Sequence, residues 1–253
     1  MSEVTKGYVK TDIHNGVAVI EFSHPAANSL PSVLLNSLAH GINTAAIDPE
    51  AKVIVLRSSG EGAFCAGASF DELLAITTEA EGRSFFSGFA RVINAMRTCP
   101  KFIIVRVQGK AVGGGVGIIA AADYAIALEG SDVKLSELTI GIGPFVVGPV
   151  IERRIGTVFS HLAIDAAMWR PADWARKKGL FAELHPDANG MDESVQRLAD
   201  KLARFNPQAM SEMKKMFWAG TEHWEELLAE KAAISGKLVL SDFTKTALEK
   251  LRK

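Results

Sequence analysis

A chain of 253 residues, 48% of them hydrophobic, is long enough to bury a sizeable core and reads most simply as one domain with a helical extension. Its 28 basic residues against 29 acidic ones leave a formal net charge of −1, which excludes electrostatic capture of nucleic acid or of an anionic membrane. No apolar run reaches the roughly 18 residues that span a bilayer. Met1 to Lys6 lacks the apolar centre of a secretory signal and Leu251-Arg252-Lys253 is no peroxisomal address, so the expected location is cytoplasmic.

Tyr8 to Phe22 alternates apolar and polar residues around Asn15-Gly16, a two-residue hairpin signal in which both central residues accept positive φ. His24 to Leu30 breaks the strand, and Pro31-Ser32 opens a helix with Leu34, Leu35, Leu38, Ile42 and Ala45 on one face. Val53 to Arg57 is short and nearly all apolar, as in a strand buried on both faces, and Ser58 to Gly62 is a loop. Ala63 to Phe70 interrupts an apolar run with small residues ahead of Asp71-Glu72. A helix over about 78–97 places Phe85, Phe89, Val92 and Met96 on one face, and Cys99-Pro100 stops it. The two cysteines, Cys65 and Cys99, sit among apolar residues with no metal-ligand spacing, so they read as buried thiols in a reducing compartment.

Phe102 to Val107 is an apolar strand, followed by Gln108 to Gly117 with three consecutive glycines and a small-residue helix over Val116 to Ala122. Tyr124 to Leu128 and Val133 to Leu135 are short strands. Beyond Pro144 strand signals nearly vanish: helices are expected at about 147–155, 157–168, 171–178, 192–205, 207–219 and 222–236, with a last one near 241–252. Alternating strands and helices predict a layered α/β arrangement whose C-terminal third is mostly helical. Trp218, Trp224, Leu227 and Leu228 give that third an apolar face, which packs either on a partner subunit or inside the chain.

Three glycines after a strand remove every Cβ from the turn, so a ligand oxygen can approach the main chain, and the following helix turns unpaired N–H groups toward the same spot. Gly115-Val116-Gly117-Ile118-Ile119-Ala120 fits G-x-G-x-x-A with Glu137 downstream, the pattern of a dinucleotide site. The next strand ends near Leu128-Glu129, too early for Glu137 to close it, and the motif lies mid-chain without a βαβ unit after it. The six histidines are scattered with no pair at ligand spacing, and no G-x-S-x-G elbow is present. What remains is one carboxylate, Glu137, beside two Gly/Ala-rich segments: backbone N–H groups to hold an oxyanion and a carboxylate to move a proton.

Phe64-Cys65-Ala66-Gly67-Ala68, Gly109 to Asp123, Ser136 to Ile155 and Pro171 to Leu180 resemble, in order and spacing, the enoyl-CoA hydratase/isomerase (crotonase) superfamily, over about residues 8–205 and more loosely in the tail. The resemblance implies a crotonase-like α/β spiral of ββα units over residues 1–190, and a helical region over 191–253 used in the contacts of a homotrimer or dimer of trimers. It also implies an acyl-CoA substrate with no other cofactor and no metal. The thioester carbonyl would be held by the N–H groups of Ala68 and Gly114. Ala66, Ala68 and Phe70 would bind the CoA, with the small Ala66 and Ala68 lining its adenine pocket. Family hydratases carry two glutamates; here the second is Glu137, while the first position is Gly117. Ser69 stands where the family often has Asp. The stretch Glu137 to Phe145 looks more like family isomerases than hydratases, whose matching stretch usually continues with a Pro-Gly-Gly run.

A single base suffices to shift a β,γ double bond to α,β, so the resemblance implies an isomerase with Glu137 as proton shuttle, its pKa raised by a neighbour among Leu135, Leu138 and Phe145. Two other readings stay open. One is a hydratase, decarboxylase or thioesterase whose second polar group comes from Asn28, Glu72 or Glu61, and the other is an acyl-CoA-binding subunit without chemistry. Asp123 is expected to bond backbone instead of substrate.

Overall fold

The computed structural model describes residues 7–251; Met1 to Lys6 and Arg252-Lys253, on which the readings of the chain ends rest, lie outside the described residues. The chain opens with the expected hairpin. Strands β1 (Tyr8–His14) and β2 (Val17–Ser23) pair antiparallel, and Asn15 and Gly16 between them take φ of 51° and 82°. From β2 onward the main sheet grows in parallel through β3 (Val53–Ser58), β4 (Ile103–Val107), β6 (Tyr124–Leu128) and β8 (Glu183–His185). A second sheet holds only β5 (Ala111–Val112) and β7 (Val133–Lys134), also parallel.

The apolar runs of β3 and β4 are explained by cover on both faces. On one face Ile54, Leu56, Ile103 and Val105 enter the main core with helices α1 (Ser32–Ile47), α3 (Glu79–Thr98) and α4 (Gly114–Ala121). On the other, Val53, Val55, Ile104 and Ile126 pack on Met191, Val195 and Ala199 of α8 (Ala188–Leu202). Helix α8 starts four residues ahead of the expected 192. The Asp187 carboxylate accepts from Gly190 N at 2.8 Å, so Ala-Asn-Gly, which reads as a breaker, forms a capped first turn. Strand β8 departs from the helical expectation beyond Pro144. Its three residues have no pattern of their own; pairing with β6 and the bond from Tyr124 Oη to Glu183 Oε1 (2.9 Å) define it.

The expected helices over 147–155, 157–168 and 171–178 are present as α5 (Gly148–Ile155), α6 (Val158–Ile164) and α7 (Ala172–Lys177). Helix α9 (Pro207–Phe217) is tied down by a buried ion pair, Lys214 Nζ to Asp123 Oδ2 at 2.6 Å, and Asp123 also accepts from Ile103 N, the backbone role expected of it. Helix α10 (Trp224–Leu238) lies along α3, where Gly82 and Gly236 meet so closely that a Cβ on Gly82 would stand 2.7 Å from Gly236 Cα. Trp218, Trp224 and Leu228 are buried in the main core, with the two indoles edge to face at 5.9 Å and Leu227 packed against them, so this apolar face is covered within the chain. A last helix, α11 (Asp242–Leu251), packs Phe243 and Thr244 onto Gly141. Among the described residues no helix is long and apolar enough to cross a membrane.

Candidate active site

Two small-residue segments run side by side. Cys65 bridges to Ala111 in parallel fashion, Val112 N donates to Cys65 O at 2.9 Å, and Phe64 N donates to Lys110 O at 3.0 Å. Pairing of β5 with β7 then brings in the third segment, since β7 leads directly to Glu137 and Gly113 N donates to Lys134 O at 2.9 Å. Helix α4 begins at Gly114, two residues before the expected Val116. Side chains at 114 and 115 would collide with the Phe89 ring and with Cys65, so the bare first turn lies directly against those neighbours.

Glu137 opens a 3-10 turn, Glu137–Ile140. Gly113, at φ 53°, is what lets its carboxylate lie against the glycine loop: a Cβ there would stand 2.7 Å from Glu137 Oε1. The residue is half-buried as a whole, yet its Oε2 is shut off from solvent and has no hydrogen-bond partner among the described residues. Burial pushes the carboxyl up to about 7, opposed only by a bond from its own backbone N–H. The expected desolvating residues separate: Phe145 lines the cavity beside it and Leu135 is in the main core, whereas Leu138 is 50% exposed and shields nothing.

All the predicted site residues line one cavity of about 360 Å³: Ala66, Ala68, Phe70, Gly114 and Glu137. The N–H groups of Phe64, Cys65, Ala66 and Gly67 all have partners. Those of Ala68 and Gly114 have none in the loop and cap hydrogen bonds of the described residues, and Gly114, first in its helix, has no preceding turn to bond. Beyond Glu137 the wall turns apolar, with Leu73, Phe85, Phe86, Phe89 and Ile142, and the tail adds Ser235 of α10 and Leu251 of α11. Helical periodicity marks Phe85 and Phe89 as core residues without revealing that they also face a cavity. The tail's share of the wall has one sequence trace, Gly236, the small residue that admits α10 to α3.

Gly117 also lies within α4, and a Cβ there would meet Val147 Cγ1 at 2.5 Å. Among the described residues Glu137 is the one carboxylate in the cavity wall. The three residues considered as a second polar group are engaged elsewhere. Asn28 is buried, and its amide bonds backbone at Ser59, Ala63 and His24. Glu72 Oε2 accepts from Ser32 N (2.9 Å) and Ser32 Oγ (2.7 Å) at the start of α1. Glu61 is exposed in its loop, outside the cavity wall. Ser69 accepts from Glu72 N at 3.3 Å and so caps the short helix α2 (Phe70–Leu74), an element with no signal in the sequence. Burial pushes the Cys65 thiol up to about 12, which leaves it un-ionised beside the cavity.

Comparison with known proteins identifies the family and the fold. The family model for enoyl-CoA hydratase/isomerase matches residues 12–249. A probable enoyl-CoA hydratase of Bacillus subtilis (strain 168) is 25% identical over 235 residues, covering 92% of this chain and 91% of its own. The peroxisomal bifunctional enzyme of Pongo abelii is 29% identical over 195 residues, 76% of this chain, but the match spans only 26% of that longer protein. The crystal structure of enoyl-CoA hydratase from Bacillus halodurans superposes with a TM-score of 0.89 at 23% identity, covering 96% of this chain and 99% of that one, which places the fold among the crotonase structures. The chain belongs to the enoyl-CoA hydratase/isomerase family.

Proposed function

We propose that the chain isomerises a β,γ-unsaturated acyl-CoA to its α,β isomer. The observation that carries this reading is the lone Glu137, a carboxylate with a pKa pushed up to about 7, in a wall where position 117 is closed by Val147. Glu137 takes the proton from Cα, and the electron pair spreads through the thioester carbonyl as a dienolate. The oxyanion accepts hydrogen bonds from Ala68 N and Gly114 N, and Glu137 returns the proton to Cγ, leaving the double bond between Cα and Cβ. A base near pH 7 suits both halves, because it must accept and release the same proton. Each such N–H donor is worth about 3 kcal/mol of transition-state stabilisation.

The cavity supports an acyl-CoA substrate at both ends. Its apolar wall of Phe85, Phe86 and Ile142 suits an uncharged acyl chain. Lys134 also lines the cavity, and its ammonium group and that of Lys110 stand 5.0 and 4.8 Å from the Trp169 ring centre with no carboxylate partner among the described residues, a pair of cations that suits the phosphates of the carrier. Hydration is the second reading, favoured by the name of the Bacillus subtilis relative.

The deciding experiment is turnover of a β,γ- and an α,β-enoyl-CoA side by side, for the wild type and Glu137→Gln. Isomerisation of the first, little hydration of the second, and a loss of about 100-fold or more in the variant are expected of a general base. Dominant hydration, or a variant as fast as the wild type, refutes the single-carboxylate mechanism.

A further inference from the structure

The loop between β2 and α1 contains two successive non-glycine residues in the left-handed region, Ala27 at φ 51° and Asn28 at φ 56°. Asn tolerates this conformation through its short polar side chain, but Ala has nothing to offset it, so the surroundings must hold the pair in place. Asn28 is buried and supplies that hold. Its Oδ1 accepts from His24 N at 3.0 Å, its Nδ2 donates to Ser59 O at 3.0 Å and to Ala63 O at 2.9 Å, and its backbone N donates to His24 O at 3.0 Å. Both amide protons and the amide oxygen are thus used, on three separate stretches of chain.

What the strained pair presents is the back of the segment that leads to Ala68. Ala27 O accepts from Ala66 N at 3.1 Å, and three residues later Leu30 N donates to Gly67 O at 2.8 Å. The amide of Asn28 grips the start of the same segment at Ala63. The 63–67 stretch is therefore held at three points by the 27–30 loop, and the next N–H, that of Ala68, has no partner in the loop and cap hydrogen bonds of the described residues.

We propose that Asn28 is a positioning residue for the oxyanion site: its amide locks the left-handed turn at 27–28, and through Ala63, Ala66 and Gly67 fixes the direction of the Ala68 N–H. This rests on the reading of Ala68 as an oxyanion donor. Loosening the clamp leaves the cavity and Glu137 in place while the donor swings off the carbonyl oxygen. The defect therefore falls on kcat and spares substrate binding.

The test uses two variants. Asn28→Gly keeps the left-handed backbone accessible and removes the side-chain clamp; Asn28→Asp keeps the shape and the acceptor for His24 N but puts oxygen against the carbonyls of Ser59 and Ala63. Each is measured by kcat and KM on a β,γ-enoyl-CoA, by melting temperature, and by the near-ultraviolet enolate band of a bound β-ketoacyl-CoA, which reports the oxyanion site without turnover. A fall in kcat of about 10- to 100-fold with KM within about twofold, and a weakened enolate band at saturating ligand, is expected. Unchanged kcat and band in the folded protein, with only a lower melting temperature, overturns the proposal and leaves Asn28 as a loop staple. Glu137→Gln serves as the control: it should abolish turnover and keep the band. A Glu137→Gln enzyme that stays active instead sinks the isomerase mechanism, whatever the Asn28 variants do.

Discussion

Gly117 and Val147 fill each other's space: a Cβ added at 117 comes within 2.5 Å of Val147 Cγ1 and 2.9 Å of its Cβ. Position 117, which by the sequence resemblance matches the first glutamate of family hydratases, is therefore filled from the far side by a β-branched residue thirty positions on. Val147 is itself 4% exposed and cannot swing away.

Gly117→Glu should accordingly fail to restore hydration. The side chain overpacks a filled site and buries a carboxylate with no partner, at a combined destabilisation of about 3 kcal/mol or more. The expected result is a lower melting temperature and no gain in hydration of an α,β-enoyl-CoA. A single variant that folds normally and hydrates that substrate would show that the space around Val147 is not closed.

Gly113→Ala tests the contact that holds the base. At φ 53° and ψ −113°, a combination that residues with a Cβ scarcely adopt, an alanine costs about 1–3 kcal/mol. Its Cβ, 2.7 Å from Glu137 Oε1, also pushes the carboxylate out of line. We expect kcat to fall about 10- to 100-fold with a modest loss of stability, as for a reacting group displaced by about an ångström. An unaffected kcat in the folded variant argues that Glu137 works from another rotamer.

The parts of this site that could be read from the sequence are those decided locally. Asn15-Gly16 specifies its hairpin by turn chemistry, and the glycines before α4 announce exposed backbone wherever they end up. Elements decided by distant partners left no such mark. Helix α4 starts at Gly114 because Phe89 and Cys65 leave no room for side chains there. Strands β5 and β8 are two and three residues long and exist through pairing alone. Of the three candidates for covering Glu137, Leu138 is carried outward by the 3-10 turn to 50% exposure, which its apolar character does not announce.

Helix α10 closes the apolar end of the cavity through a crossing that tolerates no side chain. A Cβ on Gly236 would lie 2.5 Å from Arg83 N and 2.9 Å from Gly82 C, backbone atoms that cannot step aside. Gly236→Ala should destabilise the protein by about 1–3 kcal/mol and shift Ser235 in the wall. The kinetic signature is a raised KM for acyl chains long enough to reach Ser235, with short-chain turnover nearly unchanged. Equal effects on short and long chains would place the acyl terminus elsewhere.

The raised pKa of Glu137 has opposite consequences for rate and stability. The catalytic form is the carboxylate, so kcat/KM should climb about tenfold per pH unit below about 7 and level off above it. Stability runs the other way. Between the ordinary carboxyl value of 4.5 and about 7 the folded protein binds a proton that the unfolded chain has released, so this group's contribution is full below 4.5 and is lost as pH rises through about 7. Glu137→Gln, neutral at every pH, should match the wild type near pH 4.5 and exceed it at pH 8 by about 3 kcal/mol at most, or about 6–12 °C in melting temperature. Melting curves of both proteins from pH 4.5 to 8.5 measure this gap directly. A gap that does not widen with pH would mean the carboxyl is solvated in the folded protein, and the rate profile should then lose its inflection near 7 as well.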